Sequence, residues 1–309
     1  APLAAVAQPA GKIYRIGFLG GGTAVGYAKH VEGLRLGLRD HGYVEGKNIV
    51  MDFRWADGKY EQLPALVGEL VRRNVDVIVT QGTPAAFAAK AATTTIPVVM
   101  TIVGNPDDTG LVASLSRPGA NVTGSSFFMA ELNAKRLEIL KTALPRLTRV
   151  AVLTNPGNPA MPSVLRAMEE TATALKIKLS PLELRGVDDF DSALAAAKTQ
   201  VGAVSVIEDG LFVANAPRLA ELSLKHQLAG TGFTEYAENG GLLAYGVDFP
   251  HVWRQSMALV DRIFKGAKPG DLPVMQATRF EVIVNLKAAR TLGLTIPAAL
   301  LTRRARAIE

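Results

Sequence analysis

Short apolar runs alternate with amphipathic stretches along the first half of the chain. The apolar runs predict buried strands at residues 15–20, 49–55, 75–80 and 96–103. Between the second and third runs, one helix face is apolar, at Leu63, Leu66, Val67, Leu70 and Val71. A further helix is predicted to start at Thr83-Pro84, because Thr is a suitable N-cap and Pro suits the first turn. Strands and helices thus alternate, with about 20–35 residues from one strand to the next, and this alternation predicts a parallel sheet covered by helices on both faces.

The second half of the chain repeats this plan. Residues 15–19, Arg-Ile-Gly-Phe-Leu, are closely matched by residues 149–153, Arg-Val-Ala-Val-Leu, and a turn-rich loop follows each run. Strands are predicted at residues 149–154, 178–184, 203–207 and 280–285. Helices are predicted at residues 162–175, 188–199, 216–226, 250–265 and 286–292. Two halves of this kind predict an α/β fold with two Rossmann-like lobes that face each other across a cleft.

Proline and glycine interrupt the pattern near residues 118–125, 244–248 and 267–274, where we predict crossings between the lobes. One lobe would then hold residues 13–122 and 247–272, and the other would hold residues 123–246 and 273–309. A chain that crosses three times joins its two parallel sheets by a multi-crossing hinge.

Residues 1–12 are interpreted as the remnant of a signal peptide. Ala5-Val6-Ala7 fits the small-x-small pattern of a signal-peptidase site, with Gln8 as the new N-terminus. An Ala/Pro-rich tail is the alternative. We therefore expect an exported, periplasmic protein, and no apolar run is long enough to span a bilayer.

The composition is that of an ordinary globular protein with enough residues for two cores. Of the 309 residues, 48% are hydrophobic and 20% are charged. The net charge of +6 is modest, and no basic stripe is interleaved with aromatic residues, so we expect no nucleic-acid partner. The absence of cysteine excludes disulfides and thiolate catalysis.

The motifs of common enzymes are missing or incomplete. Gly20-x-Gly22-x-x-x-Gly26 has one residue more than a dinucleotide loop, and no acidic residue ends the second strand to bind a ribose. The glycines are better interpreted as a turn that lets a ligand approach the backbone. The four histidines are dispersed, and no G-x-S-x-G elbow is present. We therefore expect no catalytic residue, no metal and no cofactor.

Polar loops follow the predicted strands, at the edge where open α/β sheets bind ligands. The candidate ligand-binding residues in or beside these loops are Gly22, Thr23, Gly82, Thr83, Gly104, Asn105, Asn155, Pro156, Asp209, Phe212 and Glu235. Gly82 and Thr83 lie at a helix start, whose free N–H groups suit a carboxylate, although Thr83 could simply cap the helix. Asp209 follows a buried strand and could accept from a ligand ammonium, or could serve only as a local turn or cap.

Several segments, taken together, resemble one protein family over about residues 13–309. They are residues 43–49 (YVEGKNI), 82–86 (GTPAA), 96–99 (IPVV), 117–124 (RPGANVTG), 240–246 (GGLLAYG) and 285–289 (NLKAA). The chain is similar in these segments to the ABC-transporter substrate-binding proteins of the tryptophan/tyrosine-type uptake group. The resemblance implies a type I periplasmic-binding-protein fold and delivery of a small solute to a membrane permease, without catalysis. Asp209 matches an Asp of members that bind aromatic amino acids, but Glu208 stands where others have Pro.

We therefore predict a monomeric, exported protein that closes two lobes around a small solute, an aromatic amino acid or a related aromatic acid. Its partners would be that solute and the membrane permease of an ABC importer. A Rossmann-type oxidoreductase or transferase with a nucleotide cofactor is the alternative. A transcription regulator is a third reading, but its DNA-binding headpiece would have to precede the first strand, which starts near residue 13.

Overall fold

The computed structural model describes residues 12–301 and 305–309, so the predicted cleavage site at residues 5–8 lies outside it. Its strands are β1 Tyr14–Gly20, β2 Ile49–Trp55, β3 Val77–Gln81, β4 Val98–Gly104, β5 Val122–Phe127, β6 Arg149–Thr154, β7 Lys178–Glu183, β8 Ala203–Val206, β9 Ala229–Gly232, β10 Leu243–Val247, β11 Met275–Gln276, β12 Phe280–Asn285 and β13 Ala305–Ile308. Its α-helices are α1 Ala28–Asp40, α2 Leu63–Arg72, α3 Thr83–Ala92, α4 Met129–Ala143, α5 Met161–Leu175, α6 Asp189–Lys198, α7 Gly210–Ala214, α8 Ala216–Lys225, α9 Thr234–Glu238, α10 Phe249–Phe264 and α11 Leu286–Thr291. Short 3₁₀ turns form at Tyr60–Gln62, Pro269–Asp271 and Ala298–Leu300.

The strands form two sheets, one in each lobe. The first has the order β11-β5-β4-β3-β1-β2, and all of its pairs are parallel. The second has the order β13-β12-β10-β9-β8-β6-β7, and only β10 and β12 run antiparallel. The predicted fold class, two α/β lobes with mainly parallel sheets, is confirmed. None of the described helices is both long and apolar enough to cross a membrane.

Strand β1 is a continuous apolar run because helices cover both of its faces. Phe18 packs on the face covered by α1 and α10, where its ring lies 5.5 Å from that of Trp253. Leu19 packs on the opposite face with Leu70 of α2. Burial on both faces is typical of parallel strands and explains why period-two alternation is absent from the sequence.

Helices α1 and α10 pack with their backbones in close approach at two glycines. A Cβ on Gly33 would lie 2.4 Å from the carbonyl oxygen of Pro250, and one on Gly37 would lie 2.2 Å from that of Arg254. These positions are one helical turn apart, so the same face of α1 meets α10 at both. The packing holds α10, which follows the second lobe in the chain, firmly on the first lobe.

The chain changes lobe at three places that strand pairing defines. Strand β5 pairs with β4, whereas α4 packs on the second lobe, so the first change is at Phe128. Strand β10 belongs to the second sheet and α10 to the first lobe, so the second change is at Asp248. Strand β11 pairs with β5 and β12 with β10, so the third change is at residues 277–279.

The crossings predicted near 118–125 and 267–274 are therefore wrong, whereas the range predicted near 244–248 includes Asp248, where the chain changes lobe. Residues 123–127 and 273–276 belong to the first lobe rather than the second. Strand β5 could not be recognised as a buried strand from its sequence, because several of its residues are polar. Their hydroxyl groups form hydrogen bonds inside the core. Thr123 donates to Leu272 O over 2.7 Å, and the hydroxyls of Ser125 and Ser256 are 2.7 Å apart. A segment whose polar groups are satisfied in this way can be buried without penalty.

The α1–α10 contact predicts a difference between two glycine substitutions in helices. Gly37→Ala places a methyl group against the backbone of α10 and should lower the free energy of unfolding by about 1–3 kcal/mol. Gly68→Ala in α2 meets only the end of the Arg72 side chain, at 3.4 Å, and should stabilise by up to about 1 kcal/mol through helix propensity. Urea denaturation of both variants measures the difference. Equal effects would show that α1 and α10 can separate at little cost.

Candidate functional site

A cavity lies between the lobes, where the carboxyl ends of strands from both sheets meet. The volume that the centres of water-sized molecules can occupy in it is about 30 Å³. The first lobe contributes Gly21, Tyr27, His30, Tyr60, Gln81, Gly82, Thr83, Pro84, Ile102, Gly104, Phe127, Phe249 and Trp253. The second lobe contributes Met129, Asn158, Glu208, Asp209, Gly210 and Val213. A solute in this cavity would contact both lobes.

The N-terminus of α3 opens into the cavity from the first lobe. Gly82 has φ +82°, a conformation that favours glycine and lets the chain turn from β3 directly into the helix. The amides of Thr83 and Ala85 have no acceptor in the described part of the chain, and neither does the Thr83 hydroxyl. Free N–H groups and the positive end of the helix dipole form a site suited to a carboxylate.

Asp209 lies at the cavity from the second lobe, buried at the N-cap of α7. Its carboxylate accepts four hydrogen bonds, from Leu211 N at 3.0 Å, Asn155 Nδ2 at 3.1 Å, Asn158 Nδ2 at 2.9 Å and Tyr60 Oη at 2.7 Å. All four donors are neutral, and no cation in residues 12–301 or 305–309 pairs with Asp209. Burial raises the pKa of this carboxyl, and the four hydrogen bonds offset only part of that effect. Asp209 therefore caps α7, as the sequence analysis considered, and its negative charge is still not balanced by a cation of the described residues.

Glu208, next to Asp209, is by contrast fully paired by the protein. Its carboxylate binds the Arg136 guanidinium of α4 through two hydrogen bonds, one of 2.9 Å from Nη1 and one from Nη2. Asn133 Nδ2 donates to it over 2.9 Å, and Arg136 Nε donates to Tyr245 O over 2.7 Å. This buried pair is neutral overall, so Asp209 is the anion that a cationic ligand group would meet.

Aromatic side chains form one wall of the cavity, on α1, α10 and the residue before α1. The Tyr27 and Trp253 rings stack with centroids 5.9 Å apart, and His30 lies 5.3 Å from Trp253 and 6.3 Å from Phe249. Phe127, at the end of β5, meets Phe249 edge-on at 5.4 Å. Rings arranged in this way offer a flat, apolar surface to an aromatic ligand.

Gln81 holds this wall against the loop after β1. Its Oε1 accepts from the amides of Gly21 and Gly22, and its Nε2 donates to Tyr27 Oη over 3.0 Å. Both polar groups of the buried Gln81 side chain are therefore occupied, which fixes its orientation at the cavity edge.

The lobes also touch directly. Tyr60 donates to Asp209 across the cleft, and His30 Nε2 lies 3.2 Å from Glu235 Oε1, at an angle outside hydrogen-bond geometry. Burial would raise the pKa of Glu235, but His30 and the Thr234 hydroxyl outweigh this effect and lower it. The structure is thus that of a closed cleft.

Glycines of the loop after β1 allow this closure. A Cβ on Gly22 would lie 2.9 Å from Gly210 O, and one on Gly26 would lie 2.5 Å from Ala214 Cα. The glycine-rich turn was expected to let a ligand approach the backbone. Gly21 of this turn lines the cavity, and the turn also lets helix α7 of the opposite lobe approach. We call Gly22, Gly26, Gly210 and Ala214 the glycine seam.

Four of the candidate residues line the cavity, namely Gly82, Thr83, Gly104 and Asp209. Three others contact residues of the lining: Gly22 binds Gln81, Asn155 binds Asp209, and Glu235 lies beside His30. These three therefore hold lining residues in position instead of facing the cavity themselves.

The remaining candidates lie away from the cavity. Thr23 Oγ1 accepts from Gly26 N, and Asn105 Oδ1 accepts from Ala130 N. Pro156 is exposed, and Phe212 is fully buried in the core beside Phe190. Their place in or beside the loops at the strand ends was predicted, but such a position alone does not say which side chains turn toward the cavity.

The sequence did not identify Tyr27, His30, Tyr60, Gln81 or Trp253 as site residues. Gln81 carried a signal, since a polar residue that ends an apolar strand needs a specific partner. Trp253 lies on a strongly amphipathic helix, so its position indicates core. No three His, Asp or Glu side chains of the described residues come together as a metal site.

The Arg136–Glu208 pair predicts a strong effect on stability. Arg136→Met leaves the Glu208 carboxylate buried without a cation and should lower the free energy of unfolding by about 3–5 kcal/mol. The double variant Arg136→Met/Glu208→Leu should recover most of the loss, because it removes both charges. Denaturant titrations at pH 7 test this prediction.

Lys135→Met is the matched control, because Lys135 precedes Arg136 in α4 and pairs with Glu138 on the surface. It should change stability by less than about 0.5 kcal/mol. A single Arg136→Met variant as stable as Lys135→Met would contradict a structural role for the buried pair.

The chain matches the sequence model of one protein family. A sequence model described as "ABC transporter substrate binding protein" matches residues 24–308. The chain is also similar to a tyrosine-binding protein of Clostridioides difficile (strain R20291), at 26% identity over 267 residues. That match covers 86% of this chain and 77% of the relative.

Two solved structures share the fold over nearly the whole chain. One is a conserved domain protein of Vibrio cholerae O1 biovar El Tor, with 29% identity and a TM-score of 0.90, covering 96% of this chain and all of that one (100%). The other is an ABC domain of Streptococcus pneumoniae in complex with L-Trp, with 23% identity and a TM-score of 0.88, covering 96% and 100%. The two-lobed arrangement therefore recurs in proteins of distant sequence.

Proposed function

Since the chain belongs to the family of ABC transporter substrate-binding proteins, we propose that it captures a zwitterionic aromatic amino acid between its lobes. Members of this family bind small solutes for an ABC transporter outside the cytoplasm and are not enzymes. The predictions of an extracytoplasmic, non-enzymatic solute-binding protein are confirmed by this membership, which favours them over the nucleotide-dependent enzyme.

The unpaired Asp209 carboxylate carries the proposal for the head group of the ligand. A buried anion without a cation is costly, and a ligand ammonium would supply the missing charge. The Oδ2 atom accepts only one protein hydrogen bond and can take another from the ligand. The free N-terminus of α3, in the opposite lobe, suits a carboxylate. Opposite charges at two sides of one cavity are complementary to the two ends of an amino-acid head group.

The aromatic wall supports the choice of side chain. Tyr27, Phe249 and Trp253 present ring surfaces to the cavity, and a flat ring of the ligand would pack against them. The C. difficile relative is described as tyrosine-binding, and the S. pneumoniae structure holds L-Trp. An aromatic acid without an amine would leave Asp209 unpaired, so the amino acid is favoured.

We further propose that the protein acts as a monomer in the periplasm after removal of a signal peptide. The closed form would present both lobes to the membrane permease of an ABC importer. Closure is driven by the ligand because groups from both lobes bind it only when the cleft is shut.

Substitution of Asp209 tests the ammonium site. Asp209→Asn keeps the size and the helix cap but removes the charge, so affinity for L-tyrosine or L-tryptophan should fall by about 30- to 1000-fold, or 2–4 kcal/mol. Thr83→Ala should cost less, because the backbone amides at the helix start remain. Isothermal calorimetry measures both variants.

Asp248→Asn provides the matched control, because Asp248 caps α10 but does not line the cavity. It should bind the amino acids as the wild type does. Wild-type affinity in Asp209→Asn would show that Asp209 only caps α7, and would remove the main support for an amino-acid ligand.

Closure is tested at Gly26 of the glycine seam, which does not line the cavity. Gly26→Val places a side chain against Ala214 and should hold the lobes apart. Because only the closed fraction binds tightly, affinity should fall at least about tenfold. Small-angle scattering should show that the ligand lowers the radius of gyration of the wild type more than that of the variant.

Gly186→Val is the control, since a Cβ there meets no atom within 4 Å. It should change neither the affinity nor the radius. An unaltered affinity in Gly26→Val would mean that binding does not require the closed contact between Gly26 and α7.

A further inference from the structure

Three buried ring nitrogens in the cavity wall have no hydrogen-bond partner among the described residues. They are Trp253 Nε1, His30 Nδ1 and His30 Nε2, the last of which lies 3.2 Å from Glu235 Oε1 at an angle outside hydrogen-bond geometry. Both residues line the cavity, with 0% and 2% of their surface exposed. A buried polar group without a partner is destabilising. His30 Nε2 at least faces the Glu235 carboxylate, so Trp253 Nε1 and His30 Nδ1 are the two atoms that require an explanation.

Most other polar side chains of the cavity already have protein partners. Glu208 is bound by Arg136, both ends of Gln81 are used, and Tyr27 Oη accepts from Gln81, which leaves the Tyr27 O–H hydrogen without an acceptor among the described residues. Under the proposed function, Asp209 and the start of α3 bind the head group of the ligand. The two ring nitrogens therefore remain for its aromatic end.

The chemistry of the two nitrogens is complementary. An indole N–H can only donate a hydrogen bond. His30 Nε2 faces the Glu235 carboxylate at 3.2 Å, which favours the tautomer with its proton on Nε2. The Nδ1 atom then carries a lone pair and accepts. One donor and one acceptor thus lie on rings whose centroids are 5.3 Å apart.

Building on the proposed function, we propose that Trp253 and His30 bind a hydroxyl group on the ring of the ligand. A hydroxyl accepts from Trp253 Nε1 and donates to His30 Nδ1, and it satisfies both atoms at once. Glu235 is a positioning residue that sets the tautomer of His30. The site then selects a hydroxylated aromatic amino acid, such as tyrosine, over phenylalanine. An indole ligand would leave His30 or Trp253 unpaired, because its single N–H only donates.

The test compares two ligands that differ by one hydroxyl group. Calorimetry on the wild-type protein should give L-tyrosine at least about tenfold higher affinity than L-phenylalanine, which corresponds to 1.4 kcal/mol. Discrimination of this sign is expected wherever a site leaves buried polar groups unpaired with the smaller ligand. This measurement needs no variant and so does not depend on the folding of one.

Variants then assign the selectivity to residues. Trp253→Phe keeps an aromatic ring but removes the N–H, and should reduce the tyrosine-to-phenylalanine affinity ratio to about threefold or less. Glu235→Gln should reduce the same ratio, because the amide no longer fixes the His30 tautomer. Phe249→Leu is the control from the same wall. It should weaken both ligands alike and leave the ratio unchanged, and thermal unfolding of each variant verifies folding.

The outcomes separate this inference from the proposed function. Binding of neither amino acid by the wild type overturns both. Binding of both with equal affinity leaves the proposed function standing and overturns the inference alone. A ratio that is high in the wild type and unchanged in Trp253→Phe also overturns it, since the hydroxyl would then be recognised elsewhere.

Discussion

The burial of the Asp209 carboxylate is the constraint on which the closed protein depends. Donors from both lobes surround it: Tyr60 comes from the first, and Asn155 and Asn158 come from the second. Neutral donors solvate a buried anion only in part, and the raised pKa of Asp209 reflects that deficit. A cationic ligand group removes the deficit only where the cleft excludes water. Under the proposed function, binding and closure are therefore coupled through one charge, and each is favourable because the other occurs.

Two other buried polar side chains near the cleft, Arg136 and Gln81, are bound by groups other than the Asp209 carboxylate. Arg136, the one buried Arg or Lys side chain among the described residues, is held by Glu208 and by the Tyr245 carbonyl and does not pair with Asp209. Gln81 is fixed by the loop amides it binds. The protein thus supplies internal partners for Glu208 and Gln81 at this edge and leaves Asp209 without a cation among the described residues. Such an arrangement favours a ligand that carries the positive charge that Asp209 lacks.

The repeated α/β plan was predictable because apolar runs and amphipathic helices follow from burial on a parallel sheet. The strand β5 and the helix α4 were not predicted, because their polar residues are satisfied inside the core. Thr123 and Ser125 are hidden in a sheet, and Asn133 and Arg136 lie buried on a helix that reads as amphipathic only weakly. At the site, strand-end loops indicated Thr83 and Asp209. The aromatic wall was missed, because a ring on a helix face has the same pattern whether it faces the core or a ligand.

The close packing of α1 on α10 has a kinetic consequence. The Gly33 and Gly37 contacts tie together the two helices that carry His30 and Trp253, and α3 belongs to the same lobe. Under the proposed function, the aromatic wall and the start of α3 would therefore move as one body and keep their geometry when the cleft opens. A solute would dock on this preorganised half first, before the second lobe reaches it. The first lobe would then govern how fast the solute associates, whereas Asp209 on the second lobe would govern how long it stays.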